Sequence, residues 1–319
     1  MKIFSTLLVA LSVVTGAACG DDSPASDGGA DGSAMVRDSA VGPDSAPRDA
    51  TVFDDCTDEA NKKVWILTTD LGAATRESHL LRFDPELLTY TDIGELRCEL
   101  EGTNILRSMA VDRAGTAWVS SSRGALYRVD TTTAACVATG METGQEQVRN
   151  YGMGFATVGD TTEERLFITA EGGWWMDGLA YRRLGAIDTS TLGLSIIGDI
   201  DAPTPANMEL TGTGDGRLFG MVLDVRNLRD IIVSIELLDA ATGGTLERKV
   251  APIEARSGFA FAQWGGDFWL FTEAPDESAR VVQFDFDAGT VVQTVDVTLD
   301  VPGTIVGAGV STCAPYDLI

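Results

Sequence analysis

The side chains best suited to bind a ligand lie in an aromatic segment at residues 170–183, AEGGWWMDGLAYRR. Trp174 and Trp175 follow two glycines, and Asp177 comes two residues later. Neighbouring indole rings in a loop can stack on a sugar ring or anchor a protein contact. Large aromatic side chains more often contribute to packing, so covering a neighbouring structural unit is the competing interpretation. We predict a ligand-binding site that includes Trp174, Trp175 and Asp177.

A single carboxylate, Glu209 in the stretch NMELTGT, is the second candidate for ligand binding. Its strand is predicted to border a central channel, where a carboxylate is unusual because charged side chains are rarely buried unpaired. Glycoside hydrolysis requires two carboxylates acting together, and Asp112 is the nearest candidate for the second. Asp112 stands at the end of a predicted strand, where a role in the turn is expected. We therefore assign no catalytic residue and predict that Glu209 binds a ligand.

The chain has one histidine, His79, so any Ser-His-Asp or Cys-His catalytic set would depend on it. His79 lies between two predicted strands, where an ordinary loop role is more frequent than that of a general base. A single histidine also excludes His-rich metal sites. The sequence contains no Walker sequence, CxxC pair or EF-hand spacing, so we predict no metal and no cofactor.

The charge balance excludes nucleic acid as a partner. Lys and Arg number 23 against 48 Asp and Glu, which gives a net charge of −25. Phosphate binding needs clusters of Lys and Arg, and the sequence contains none. An acidic surface is normally a solubility feature, and it weakly favours cationic partners or metal ions.

Short strands that repeat about every fifty residues must position these side chains. The third predicted strand of each repeat ends in an aspartate that Thr or Gly soon follows. These aspartates are Asp84, Asp130, Asp188, Asp239 and Asp285, which are 46, 58, 51 and 46 residues apart. Such a period of short strands and turns is typical of a β-propeller with four-stranded blades. We predict that each aspartate accepts N–H groups of the following turn rather than catalysing or binding a metal.

The two ends of the repeat region predict five blades and a closed ring. No first strand precedes the second strand at residues 63–69, and an unpartnered first strand, TIVGAGVST, stands at residues 304–312. We therefore predict an all-β, five-bladed β-propeller in which the C-terminal strand completes the first blade. This closure leaves no long exposed strand edge.

Four of the five cysteines support this closure. Cys56 precedes the first blade and Cys313 follows the C-terminal strand, so a disulfide between them would lock the ring. Cys98 and Cys136 flank the second blade and can pair with each other. Four cysteines allow three connectivities, so this pairing depends on the closure, and four buried free thiols are the alternative. An exported location permits disulfides.

The first 18 residues have the pattern of a signal peptide. Lys2 precedes an apolar run at residues 3–14, which is too short to span a bilayer, and small residues lead to Cys19. This segment resembles the lipobox of bacterial lipoproteins, whose cysteine becomes the diacylated first residue, with Gly16 where the family prefers Leu. The resemblance implies a membrane anchor on Cys19, in the outer membrane or at the cell surface. Ordinary cleavage, which gives a soluble periplasmic or secreted protein, is the alternative.

Residues 19–55 form a linker rich in Asp, Ser, Ala and Gly. From Gly20 to Asp55 the chain contains nine Asp, two Arg and almost no large apolar residue. Such a composition cannot bury enough apolar surface to offset its ordering entropy, so we predict a disordered spacer. The propeller domain then takes residues 56–319.

The repeat MAVDRAGTAWVSSSRGALYRVD, at residues 109–130, resembles extracytoplasmic bacterial propellers of the NHL, YVTN and gluconolactonase-like families. The resemblance extends over most of residues 56–319 through short motifs, although those families have six or seven blades. It implies a propeller fold outside the cytoplasm, and no active-site residue is transferred from it.

These features favour a monomeric, lipid-anchored propeller that binds a protein or a glycan without catalysis. The first alternative is a glycan- or lactone-active hydrolase that uses channel carboxylates, with or without a divalent cation. The second alternative is a structural surface protein with no dedicated ligand. A fold that hosts many functions does not by itself decide among the three.

Overall fold

The computed structural model describes residues 56–72, 76–159, 161–172, 181–201, 206–224, 231–253, 258–273 and 279–317. In these ranges the regular elements are strands, apart from two 3-10 helices at Glu59–Lys62 and Gln145–Gln147. Neither of these described helices has the length and hydrophobicity needed to cross a membrane. The predicted all-β class is confirmed.

Twenty described strands form five four-stranded antiparallel sheets, the blades of a propeller. From the channel outwards, blade one contains β20 (Thr304–Gly309), β1 (Val64–Thr69), β2 (Ser78–Asp84) and β3 (Thr89–Glu95). Blade two contains β4 (Leu106–Val111), β5 (Thr116–Ser121), β6 (Leu126–Asp130) and β7 (Cys136–Ala138). Blade three contains β8 (Met153–Thr157), β9 (Glu164–Gly172), β10 (Tyr181–Ile187) and β11 (Leu194–Asp199). Blade four contains β12 (Ala206–Gly212), β13 (Leu218–Asp224), β14 (Ile232–Leu238) and β15 (Thr245–Ala251). Blade five contains β16 (Phe259–Trp264), β17 (Asp267–Glu273), β18 (Ala279–Asp285) and β19 (Thr290–Val297).

The hydrophobic core lies between adjacent blades rather than inside any one of them. All six residues of β1 are buried, whereas the outer strand β19 alternates between exposed and half-buried residues. Phe83 of blade one contacts Trp269 and Phe271 of blade five, with ring centroids 5.5 and 5.3 Å apart. A blade is therefore stable only when its neighbours cover both of its faces, which explains the long apolar runs in the second strands.

The last strand of the chain completes the first blade, as predicted. β20 pairs antiparallel with β1, so that Trp65 lies opposite Gly309 and Thr69 lies opposite Thr304. The Cys56–Cys313 disulfide joins positions 257 residues apart and fastens the two ends of the ring. The five-bladed ring and its closure are confirmed.

A second disulfide joins Cys98, which follows blade one, to Cys136 in β7 of blade two. Both predicted pairings are confirmed, so these four cysteines are not free thiols. Stable disulfides form in oxidising compartments, so the two disulfides indicate an extracytoplasmic location.

The five repeat aspartates accept backbone N–H groups of the turns that follow their strands. Asp130 Oδ1 accepts the N–H groups of Thr132 and Thr133 at 2.8 and 3.0 Å. Equivalent bonds are made by Asp84, Asp188, Asp239 and Asp285. The prediction that these aspartates stabilise turns is confirmed, because their carboxylates accept hydrogen bonds from the backbone of the turns that follow them.

The inner strands of adjacent blades run parallel and lie very close together. Gly152 faces the backbone of Met208, and Gly154 faces the backbone of Leu210, so β8 and β12 advance in the same direction. A Cβ at Gly154 would lie 2.9 Å from the backbone of Leu210, which no side chain tolerates. Glycine at this position therefore allows five strands to close around a narrow channel.

Buried hydroxyls of the second strands bind the inner strand of the next blade. Thr69 Oγ1 donates to the carbonyl of Leu106 at 3.2 Å, which links blade one to blade two. Thr169 Oγ1 donates to the carbonyl of Met208 at 3.0 Å, which links blade three to blade four. These bonds satisfy polar groups in the seams and set the register between blades.

Candidate functional site

The channel mouth, a cavity at the face where the inner strands begin, is the candidate functional site. All five blades contribute to its lining, which includes Arg107, Gly152, Glu209, Phe259 and Val306. Its volume is about 80 Å³, which is room for a few water-sized groups. Small-molecule sites usually measure about 300 Å³ or more, so the mouth can admit only one part of a larger ligand.

Glu209 is held in the channel mouth by a serine of another blade, which a third blade positions in turn. Its Oε2 accepts a hydrogen bond of 2.5 Å from the hydroxyl of Ser108, which lies on β4 and is fully buried. The Ser108 oxygen in turn accepts the backbone N–H of Met153, at 3.1 Å. Because this hydroxyl has one proton and directs it at Glu209, it fixes the orientation of the carboxylate. The predicted place of Glu209, on an innermost strand beside the channel, agrees with the structure.

Further polar groups surround Glu209 in the channel mouth. Arg107 and Asn150 are half-buried, and Asn207 is exposed. Tyr151 also lines the cavity, but its hydroxyl donates to the carbonyl of Gly124 at 3.4 Å, and burial raises its pKa far above the ordinary value. The mouth thus combines a hydrogen-bond acceptor in Glu209 with donors in Arg107 and amides that serve in both roles. Such a set suits a ligand that presents hydroxyl groups.

Asp112 lies at the opposite end of the channel and cannot act with Glu209. It follows β4, and its Oδ1 accepts the N–H of Thr116 at 2.8 Å. Its Oδ2 accepts the indole N–H of Trp118, also at 2.8 Å. The predicted role in a turn is confirmed, because both carboxylate oxygens serve the β4–β5 connection.

The other predicted site residues lie outside the described residues. They are Trp174, Trp175, Asp177 and the lipidation candidate Cys19.

His79 differs from the loop residue expected from the sequence. It lies within β2 and is 9 % exposed. Its Nε2 is 2.9 Å from Glu77 Oε1, and its Nδ1 is 3.2 Å from Asp92 Oδ1. Burial lowers the pKa of the imidazole, but the hydrogen bonds and charges of the two carboxylates outweigh this and raise the pKa above its ordinary value. With both ring nitrogens engaged, His79 serves the structure of blade one.

Sequence reasoning missed Glu164, a half-buried carboxylate at the channel end opposite the mouth. Its Oε1 accepts the backbone N–H of Arg113 at 2.6 Å, and its Oε2 accepts the hydroxyl of Thr312 at 3.0 Å. Burial raises its pKa to about 7. The available signal was strand alternation, because Glu164 shares a strand face with the fully buried Leu166 and Ile168.

No protein-family model matches the sequence, and no curated protein matches it. Among solved structures, the chain is similar to an α-L-arabinofuranosidase from Clostridium thermocellum, with 13 % identity and a TM-score of 0.50. That match covers 74 % of this chain and 91 % of the other. A protein of unknown function from Dyadobacter fermentans matches at 10 % identity and a TM-score of 0.49, over 75 % of this chain and 80 % of the other. At such identities the likeness to the arabinofuranosidase shows the propeller fold alone.

Proposed function

We propose that this chain is an extracytoplasmic binding module that holds a glycan at its channel mouth. The observation that carries the proposal is the Ser108–Glu209 hydrogen bond, which presents an oriented carboxylate beside Arg107 and two asparagines. Sugar hydroxyls both donate and accept hydrogen bonds, so a site with both kinds of group matches them. The two disulfides support a location outside the cytoplasm.

The size of the mouth determines how a glycan would bind. A cavity of about 80 Å³ admits one hydroxyl-bearing edge of a sugar, so most of the ligand would stay on the surface around it. β9 pairs antiparallel with the inner strand β8, so β9 ends at the face of the mouth. The segment after β9 carries Trp174, Trp175 and Asp177, to which the proposal assigns the stacking and polar contacts outside the cavity.

The same proposal includes the N-terminal anchor. Cys19 would carry the lipid, and residues 20–55 would separate the propeller from the membrane surface. Mass spectrometry of the protein isolated from membranes tests this part, since a diacylated N-terminal Cys19 has a defined added mass. An unmodified chain in the soluble fraction would contradict it.

A glycan array with the full, disulfide-bonded chain tests the binding proposal, with and without calcium. We expect wild-type protein to bind and Glu209→Gln to bind at least tenfold more weakly, because the amide cannot accept hydrogen bonds as strongly as the carboxylate. The Trp174→Ala/Trp175→Ala double variant should lose binding as well. Thr211→Val is the matched control, because it removes a buried hydroxyl two residues further along β12 and leaves the mouth intact. Failure of wild-type protein to bind any glycan would contradict the proposal and favour a protein partner or a structural role.

A glycan- or lactone-active hydrolase is the second candidate. The channel position of Glu209 favours it, and the fold is shared with an α-L-arabinofuranosidase. Against it, the described lining of the mouth contains one carboxylate, and glycoside hydrolysis by this route uses two. Turnover of aryl glycosides or lactones that disappears in Glu209→Gln would favour the hydrolase, and binding without turnover would favour the module.

A further inference from the structure

A second cavity, larger than the channel mouth, lies between blades three and four, at the face opposite the channel mouth. This interblade cleft has a volume of about 430 Å³, which is within the range of small-molecule sites. Its walls are the β8–β9 turn, the start of β9, the β12–β13 turn and the end of β14 with the turn that follows. The channel mouth is smaller and shares no lining residue with the cleft, so the cleft is a separate site.

The interblade cleft has an apolar floor and two glycines in its lining. Phe167 and Leu238 form the floor and belong to the core between the two blades. Gly159 and Gly216, at the rim, both have a left-handed backbone with φ of 69° and 87°. Among the described residues that are not its chain neighbours, none has an atom within 4 Å of the place that a Cβ of Gly159 would take.

An exposed leucine adds to the apolar surface of the interblade cleft. Leu246 on β15 lines it and is 64 % exposed. A ligand that covered this side chain would remove apolar surface from water, which favours binding. The cleft therefore favours a ligand with an aliphatic body.

The charged groups at the interblade cleft differ in whether they already have partners. Arg217 Nε is 2.8 Å from Asp215, and Asp239 accepts the N–H of Ala241 within its own turn. Arg165 is exposed, and its guanidinium lies 5.9 Å from the ring centroid of Phe167. Arg165 makes no ion pair within the part of the chain that the structure describes. One cation therefore stands beside the apolar floor with its hydrogen-bond donors available to an anion.

The geometry points to a second ligand site in the interblade cleft, for an aliphatic carboxylate. The aliphatic body would cover Leu246 and Phe167, and the carboxylate would accept hydrogen bonds from Arg165. A charge-assisted Arg–carboxylate contact is stronger than a neutral hydrogen bond, and it selects an acid over the corresponding alcohol. The site does not depend on the proposed glycan function, because it shares no residue with the channel mouth.

The test compares octanoate with octanol, which have the same number of carbons, by isothermal titration of the full, disulfide-bonded chain. We expect wild-type protein to bind octanoate at least fivefold more tightly than octanol. Arg165→Gln should abolish this preference while octanol binding stays the same. Arg128→Gln is the matched control, because Arg128 is also an exposed arginine on a strand and lies in blade two, away from the cleft.

Two further variants distinguish binding in the interblade cleft from binding at the channel mouth. Leu246→Ser should weaken octanoate and octanol equally, and Glu209→Gln at the channel mouth should leave both affinities unchanged. The proposal is overturned if wild-type protein does not prefer octanoate, or if Arg165→Gln keeps the preference. It is also overturned if the peptide Gly-Gly-Leu with a free carboxylate binds more tightly than octanoate, which would make the cleft a site for a peptide terminus.

Discussion

Ser108 donates its hydroxyl proton to Glu209 across 2.5 Å, although the two residues are 101 positions apart in the sequence. Ser108 lies on the inner strand of blade two, and Glu209 lies on the inner strand of blade four. The N–H of Met153, from blade three, donates to the same serine oxygen. One buried hydroxyl thus connects three blades and orients the carboxylate of the candidate site.

Substitution Ser108→Ala is expected to destabilise the propeller by about 1–3 kcal/mol, because it leaves the Met153 N–H and a half-buried carboxylate without this partner. Urea unfolding monitored by tryptophan fluorescence measures the change in free energy. Thr211→Val, which also removes a buried hydroxyl of an inner strand, provides the comparison. If Ser108 positions Glu209 for a ligand, Ser108→Ala weakens glycan binding and Thr211→Val does not. Equal effects of the two variants on binding would contradict this role.

We expect the propeller to lose stability as the pH rises, because Glu164 has a raised pKa in the folded protein. Its pKa is about 7 in the folded protein against an ordinary value of 4.5, so the folded state holds a proton that the unfolded state releases. The contribution of this carboxyl group to the free energy of unfolding is therefore complete below about pH 4.5, and it is lost as the pH rises to about 7. The difference corresponds to roughly 3 kcal/mol at most.

Urea unfolding of Glu164→Gln at pH 5 and pH 8 tests this prediction. The neutral amide has no such dependence, so the variant should gain stability relative to wild type at pH 8. Glu163→Gln, at the exposed neighbouring position, should keep the wild-type slope. If the stability of wild type and of Glu164→Gln depended on pH in the same way, Glu164 would be ionised at both pH values, which would contradict the prediction.

His79 should titrate above the ordinary histidine pKa of about 6.5. Asp92 and Glu77 stabilise the imidazolium, so this group stabilises the fold below pH 6.5 and loses its effect as the pH rises through the folded pKa. The chain has one histidine, so a single NMR resonance reports its pKa directly. Asp92→Asn should lower that pKa. A pKa at or below 6.5 in wild type would contradict the placement of His79 between two carboxylates.

The two disulfides should differ in their contribution to stability. The Cys56–Cys313 bond closes a loop with a sequence separation of 257, against 38 for Cys98–Cys136. The chain-entropy relation gives about 5.5 kcal/mol for the longer loop and about 4 kcal/mol for the shorter one, as upper values. Guanidinium unfolding measures the stability lost with each disulfide, in the variants Cys56→Ser/Cys313→Ser and Cys98→Ser/Cys136→Ser. A larger loss from the second pair would contradict the ring-closing role of the first.

Much of the architecture could be predicted from the sequence because its determinants are local. The repeat aspartates bond to N–H groups two or three residues away, so each turn can be identified within a short window. The unpartnered strand at residues 304–312 and the missing first strand before residues 63–69 predicted the ring closure, and this closure predicted both disulfides. The placement of Glu209 beside the channel followed from the same repeat.

The sequence by itself determined the blades and their number, since strand alternation and turn bonds act between near neighbours. It determined the closure through the unpartnered strand at residues 304–312. Apart from the two disulfides, only the tertiary structure decided which side chains of different blades meet. The pairs Ser108–Glu209 and Glu164–Thr312 are 101 and 148 residues apart. The contact of Asp92 with His79 and the interblade cleft with Arg165 also form only in the folded chain. The physical reason is that the register between blades is set by the packing of whole sheets, which no local sequence pattern encodes.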